Sequence, residues 1–332
     1  MDRTQRIVSI IALALLLLPV PALASGPGEG TPGSARWFGD QQLTEKFAKT
    51  VPLAKGGTLD LGNISGDIVI TGGTGDQVVI DAVKRGRTAE DLKAVQIEVT
   101  ATAARVEVRT KYPQEKRNIN ASVDYTVSVP RGAAVIVNSV SGDMKVSNID
   151  GALRINTVSG DVDVTAAAQL ETAKTVSGDV TVTASGSAGD ITAASVSGGV
   201  TIKSAKARGF DLNSVSGSVT MTDVTCDRVK ANSISGDMTF SGPLAKGGRY
   251  AFQSHSGDVT ITTGGAVGFE VTANSFSGDI KSDYELTVKF GGENAAAGAR
   301  GPKRQNVRGT YGDGSAVLEL NSFSGDIRIV KK

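Results

Sequence analysis

The residues that could do chemistry recur at a fixed interval. Ser-Gly-Asp appears at Ser65, Ser141, Ser159, Ser177, Ser235, Ser256, Ser277 and Ser324, so Asp143, Asp161 and Asp179 fall 18 residues apart. Asp237, Asp258 and Asp279 follow as a second set. Carboxylates stacked at about 5 Å repel by about 1 kcal/mol in water. A calcium ion, which takes carboxylate oxygens, would relieve that repulsion. Asp143, Asp161 and Asp179 are therefore a candidate calcium ladder, although the spacing is not that of the glycine-rich calcium repeats. The competing role for each Asp is to accept hydrogen bonds from its own turn. A second candidate is basic: Lys203, Lys206 and Arg208, then Arg228 and Lys230, then Lys246 and Arg249 occupy loops of successive repeats. Along one edge they could hold an anionic envelope polysaccharide or a lipid headgroup, or be solvated surface charge.

Other chemistries are closed off by scarcity. The 332 residues include one His and one Cys, His255 and Cys226. No disulfide pair and no Cys/His zinc site can be built from them. A nucleophilic triad would rest on His255 alone, which follows the repeat register at a position that is otherwise apolar, between Ile234 and Phe276. It reads as a core-edge residue. A polysaccharide-cleaving enzyme would need converging carboxylates, whereas a ladder shared by many turns singles out no centre. No cofactor is expected. Lys and Arg number 35 against 34 Asp and Glu. A balance so near zero argues against nucleic acid, which requires excess positive charge.

The elements that carry these residues follow from the repeat. Two altered copies, Ser197-Gly198-Gly199 and Ser216-Gly217-Ser218, complete a series with steps of 18, 18, 20, 19, 19, 21 and 21 residues from Ser141 to Ser277. Apolar residues stand three and five positions after the Ser, as in Val162 and Val164, which is strand spacing with both side chains on one face. A second strand follows, carrying pairs such as Leu153 and Ile155. One such unit cannot bury its apolar face, but stacked units can, at about 4.8 Å per turn. The expected fold is all-β: a single-stranded β-solenoid with 18–21-residue rungs. Gly142, Gly160, Gly178, Gly198, Gly217, Gly236, Gly257 and Gly278 occupy its corners, where a positive φ is cheap without a Cβ. Asn138, Asn156, Asn213, Asn232, Asn274 and Asn321, with Gln253 standing in once, form an amide ladder three positions before the Ser. A Ser or Thr follows each of them.

Around the repeats, residues 1–24 read as a secretory signal peptide: Arg3 and Arg6, an apolar run from Ile7 to Leu18, and Ala22-Leu23-Ala24 as the cleavage site. The run is shorter than the roughly 20 residues that span a bilayer. After cleavage, which removes Arg3, Arg6 and Asp2, the totals of 35 and 34 become 33 basic and 33 acidic residues. No transmembrane segment is expected in the remainder. Residues 25–40 are expected to form a Gly/Pro-rich flexible leader, whose Trp37-Phe38 either contact a partner or tuck onto the end of the folded body, and 41–130 a less regular β-rich cap. In that cap Thr88 is the N-cap of a short helix. The solenoid is assigned to 131–332, with a mobile insertion near 291–306 before closing strands at 316–320 and 326–330.

The run from Val123-Asp124-Tyr125 through Val129-Pro130, followed by repeated Val-Ser-Gly-Asp-Val, resembles a bacterial family of exported β-solenoid domains known as putative adhesins, whose function is otherwise unassigned. The resemblance spans roughly residue 47 to the C-terminus. It implies an extracytoplasmic solenoid with no established catalytic residues. The resulting expectation is an exported, non-enzymatic binding or scaffolding protein in the periplasm or on the cell surface. Its partner would be an envelope polysaccharide, a surface or another envelope protein. A regulatory or sensing subunit of an envelope-stress system and a polysaccharide-acting solenoid enzyme are the alternatives.

Overall fold

A computed structural model describes residues 42–113, 119–288 and 305–332. The signal peptide, the leader with Trp37-Phe38, and most of the 291–306 insertion lie outside these residues. Each rung contributes one short strand to each of two facing sheets, of 13 and 14 strands. Alternation within each strand explains the arrangement: Val162 and Val164 point inward and are fully buried, while Asp163 between them faces out. In the first sheet Val162, Val180, Val200, Val219 and Met238 are opposite one another in parallel register. In the second sheet Phe210, Val229, Tyr250 and Leu318 do the same. The core fills with larger side chains where the rungs lengthen. Phe240 meets Tyr250 and Phe252 edge-on at 5.6 and 5.9 Å.

Rungs do not stack simply in sequence order. The strands Ala316–Ser324 and Ile327–Lys331 slot between the Ser256 rung and the Ser277 rung. The last repeat of the chain is therefore the penultimate one in space, and Gln305–Tyr311 lies antiparallel against Phe269–Ser275 beyond it. Asp237, Asp258 and Asp279 are consequently not three consecutive rungs, because Asp326 separates Asp258 from Asp279. The stack also starts earlier than residue 131. Thr58–Gly62 and Ile68–Gly73 pair with Ala134–Asn138 and Met144–Ser147, making the Ser65 turn its first rung. Residues 43–52 and 74–130 supply the end cover: Leu43–Pro52, Gln77–Gly86 and Ala121–Pro130 extend one sheet, and Arg105–Lys111 and Gln96–Ala101 the other. Within it Ala89–Ala94 is the short helix, and Thr88 Oγ1 accepts from the Asp91 amide at 3.1 Å.

The corner glycines answer to close approach more than to φ. Gly142, Gly160 and Gly178 have φ of 122°, 125° and 136°, but Gly217, Gly236 and Gly278 lie outside the left-handed region. At all six, a Cβ would sit 2.1–2.3 Å from the corner-glycine carbonyl oxygen of the neighbouring rung. The opposite corner is left-handed without glycine: Asn148, Ala166, Ala184, Ser204 and Asp223 have φ between 48° and 59°.

Candidate functional site

Four ladders run side by side along the edge that carries the Ser-Gly-Asp corners. Three of them are consumed internally. In the Asp ladder each carboxylate accepts the backbone N–H of the next rung: Asp67 from Asp143, Asp143 from Asp161, and Asp161 from Asp179, at 2.8–3.0 Å. Asp179 accepts from Gly199, and Asp237, Asp258 and Asp326 continue the pattern after the interruption. The acceptor role expected within a turn is therefore played between turns. The N–H of Asp279 donates to Asp326 and holds its carboxyl below the usual range, with help from Arg328. Among the described residues no three His, Cys, Asp or Glu side chains come together as a metal-binding group; Asp143, Asp161 and Asp179 instead each accept an N–H from the next rung.

The amide ladder is broken into segments. Asn156 donates to Asn138 at 3.3 Å, Asn232 to Asn213 at 2.9 Å, and Asn274 to Asn321 at 2.9 Å. Lys174 and Ala194 occupy the two rungs between Asn156 and Asn213. Beneath the amides is a buried hydroxyl row. Thr175, Ser195 and Ser214 donate to the corner-glycine carbonyls of Gly160, Gly178 and Gly198 at 3.1, 2.7 and 3.0 Å.

The fourth ladder, immediately before the Ser, has no such outlet. Val140, Val158, Val176, Val196, Val215 and Ile234 are 39–54% exposed although they follow one another in adjacent rungs. His255 continues the row; it is exposed, not at a core edge, and its rung neighbour is Phe323, not Phe276. The rings of His255 and Phe323 stack at 4.8 Å, and those of Phe323 and Phe276 at 4.7 Å. This aromatic triad exists because the final repeat inserts between its two predecessors. Inward alternation of Phe210, Leu212 and Ser214 forces Val215 outward, a parity that sequence alone could have shown. Between the apolar ridge and the amide row lies a groove of about 470 Å³, walled by Val176, Val196, Val215 and Ile234.

The seven basic candidates do not merge into one uncompensated strip. Lys203 ends a strand of the first sheet, and Lys206 lies in the following corner beside Gly186 and Thr225. Arg208 and Arg228 both close on the Asp190 carboxylate. Lys230 stands opposite Asp211 in strand register, and Arg249 opposite Arg228. Lys246 is exposed in the loop before Arg249. Cys226 is buried, which pushes its thiol up to about 12, so it is no thiolate nucleophile near neutrality.

Comparison with known proteins gives a consistent fold. The profile of the Toastrack DUF4097 family matches residues 58–330. A Parabacteroides distasonis structure described as a "putative adhesin" is 12% identical, covers 86% of this chain and 97% of its own, and superposes with a TM-score of 0.51. A second from the same organism, described as a "putative lipid binding protein", is 10% identical with the same coverage and TM-score. At such identities the likeness is one of fold. No curated protein matches the chain.

Proposed function

The chain belongs to the Toastrack DUF4097 family, and from that premise we propose that it is an exported, non-enzymatic, adhesin-like binding protein of the cell envelope. The observation that carries this reading is the ridge. Of eleven exposed large hydrophobic side chains among the described residues, eight (Ile64, Val140, Val158, Val176, Val196, Val215, Ile234 and Phe323) stand on that single edge. A contiguous apolar line is an interaction surface, whereas isolated exposed apolar residues are ordinary. The parallel ladders beneath hold the corner rigid, so the ridge offers an extended partner one contact per rung with little ordering cost. An envelope polymer or another envelope protein that lies along the stack fits that geometry. The burial of Cys226 and the aromatic stacking of His255 support a role in binding without catalysis.

The test is retention of purified protein on isolated cell-envelope fractions. Val176→Ser, Val196→Ser and Val215→Ser combined should abolish retention and leave the melting temperature nearly unchanged, because those side chains are half exposed. Undiminished retention would refute the ridge as the binding surface. Fractionation of cells with surface proteolysis tests export in the same preparation.

A further inference from the structure

The groove beside the aliphatic half of the ridge is chemically narrower than a general adhesive surface. Its floor is made of Thr175, Ser195 and Ser214, each buried and each already donating to a glycine carbonyl. On its far wall Asn213 donates to Asp211 at 2.8 Å and accepts from Asn232 at 2.9 Å. The three floor hydroxyls have thus given their protons to the backbone, and the four aliphatic side chains of the ridge offer a sugar no hydrogen bond. The one charged residue lining the groove is Lys174. It is exposed, and among the described residues its ammonium has no hydrogen-bond or ion-pair partner. The next rung places Ala194 at the same position, which opens the wall directly beside that charge.

We infer that this groove binds one unbranched, single-chain anionic amphiphile, a free long-chain carboxylate, with the head at Lys174 and the tail running past Ala194 toward Ile234. The inference rests on the ridge being a binding surface and names what its aliphatic half takes. Length agrees. From the Ser177 rung to the Ser235 rung are three steps, about 14 Å at strand spacing. An alkyl chain rises roughly 1.25 Å per carbon, as a 1.52 Å C–C bond requires, so about 12 carbons span the distance. The volume of about 470 Å³ falls within the range of small-ligand sites and suits one chain.

The test is calorimetric titration of the full chain with sodium dodecanoate below its micelle concentration. Dodecyl maltoside serves as the neutral-headed comparison, and sedimentation with phosphatidylglycerol vesicles is the bilayer arm. The expected result is saturable binding of one dodecanoate per chain, at least tenfold tighter than dodecyl maltoside. Lys174→Gln should erase that tenfold preference. Ala194→Leu, which fills the groove without touching the charge, should abolish binding of both. Absence of saturable binding, dodecanoate binding unchanged in both variants, or co-sedimentation with vesicles in preference to dodecanoate would each overturn the inference. If dodecanoate fails to bind while the triple-serine ridge variant still loses envelope retention, only this inference falls and the adhesin-like reading stands.

Discussion

Replacing Gly217 with Ala separates two explanations of the corner glycines. Its φ lies outside the left-handed region, so an L-residue can adopt the backbone, yet its Cβ would stand 2.2 Å from the Gly198 oxygen. Ordinary C···O contacts begin near 3.3 Å, so the two rungs must part by about 1 Å at this corner. The displaced oxygen is the acceptor for Ser214, and the same corner holds Gly217 N–H to Ser235 at 3.0 Å and Gly198 N–H to Ser216 at 3.1 Å. Overpacking strain of about 1–3 kcal/mol and weakening of one or two bonds at about 1 kcal/mol each give a loss of about 3 kcal/mol. Gly247 supplies the contrasting case: φ is 72° and nothing lies within 4 Å of a Cβ, so Gly247→Ala should cost only the left-handed penalty, about 1 kcal/mol. Gly132→Ala, with open space and no positive φ, should be neutral or slightly stabilising. Urea midpoints of the three variants, followed by circular dichroism, give the order directly. If Gly247→Ala proves as damaging as Gly217→Ala, or Gly217→Ala unfolds like the parent, close packing between rungs is not what demands glycine.

The buried hydroxyl of Thr263 has no hydrogen-bond partner among the described residues. Thr263→Val should therefore raise stability, by about 1 kcal/mol; a lowered urea midpoint would show that the hydroxyl is satisfied in solution. Burial raises the Cys226 thiol to about 12, with Asp227 adding to the effect. Iodoacetamide should thus label it slowly in the folded chain between pH 7 and 9, with labelling becoming fast only in denaturant, and rapid native labelling would contradict its placement.

The rung was legible because its inward positions repeat with strand parity, and Thr88 was legible because a capping hydroxyl is a local signal. Spatial order at the far end was not. The Ser277 and Ser324 rungs carry the same Ser-Gly-Asp, so nothing local distinguishes them as the neighbour of Ser256. The choice is made by the antiparallel strand Gln305–Tyr311, which covers the Phe269–Ser275 edge and leaves Ala316–Ser324 to pair on its other side. The aromatic triad was hidden for the same reason. Charge pairing within the basic set was hidden differently: composition counted the cations of successive loops, but Asp190, which pairs with Arg208 and Arg228, comes from an earlier rung.

Repetition also tells which ladder faces outward in function. A Ser, Asp or Asn repeated along the stack gains a bond from each added rung, so its recurrence is accounted for by stability alone. Asp161 is both acceptor and donor to its neighbours, and Ser195 closes on Gly178. Val176, Val196 and Val215 gain far less, since about half of each remains in water. Covering that half with a partner is worth about 1 kcal/mol per valine at 25 cal/mol per Å². Association itself costs at least about 4 kcal/mol, so a partner touching two or three rungs through the ridge alone would not stay bound. Useful affinity requires either a ligand that spans most of the row, or one that adds its own apolar area and a charge contact within a few rungs. An extended envelope polymer meets the first condition and a carboxylate tail at Lys174 the second. Shortening the amphiphile discriminates between them: octanoate should bind at least tenfold more weakly than dodecanoate if the aliphatic groove is the site, because about four buried methylenes at about 0.8 kcal/mol each are withdrawn, whereas equal binding of the two would place the interaction at the charge alone.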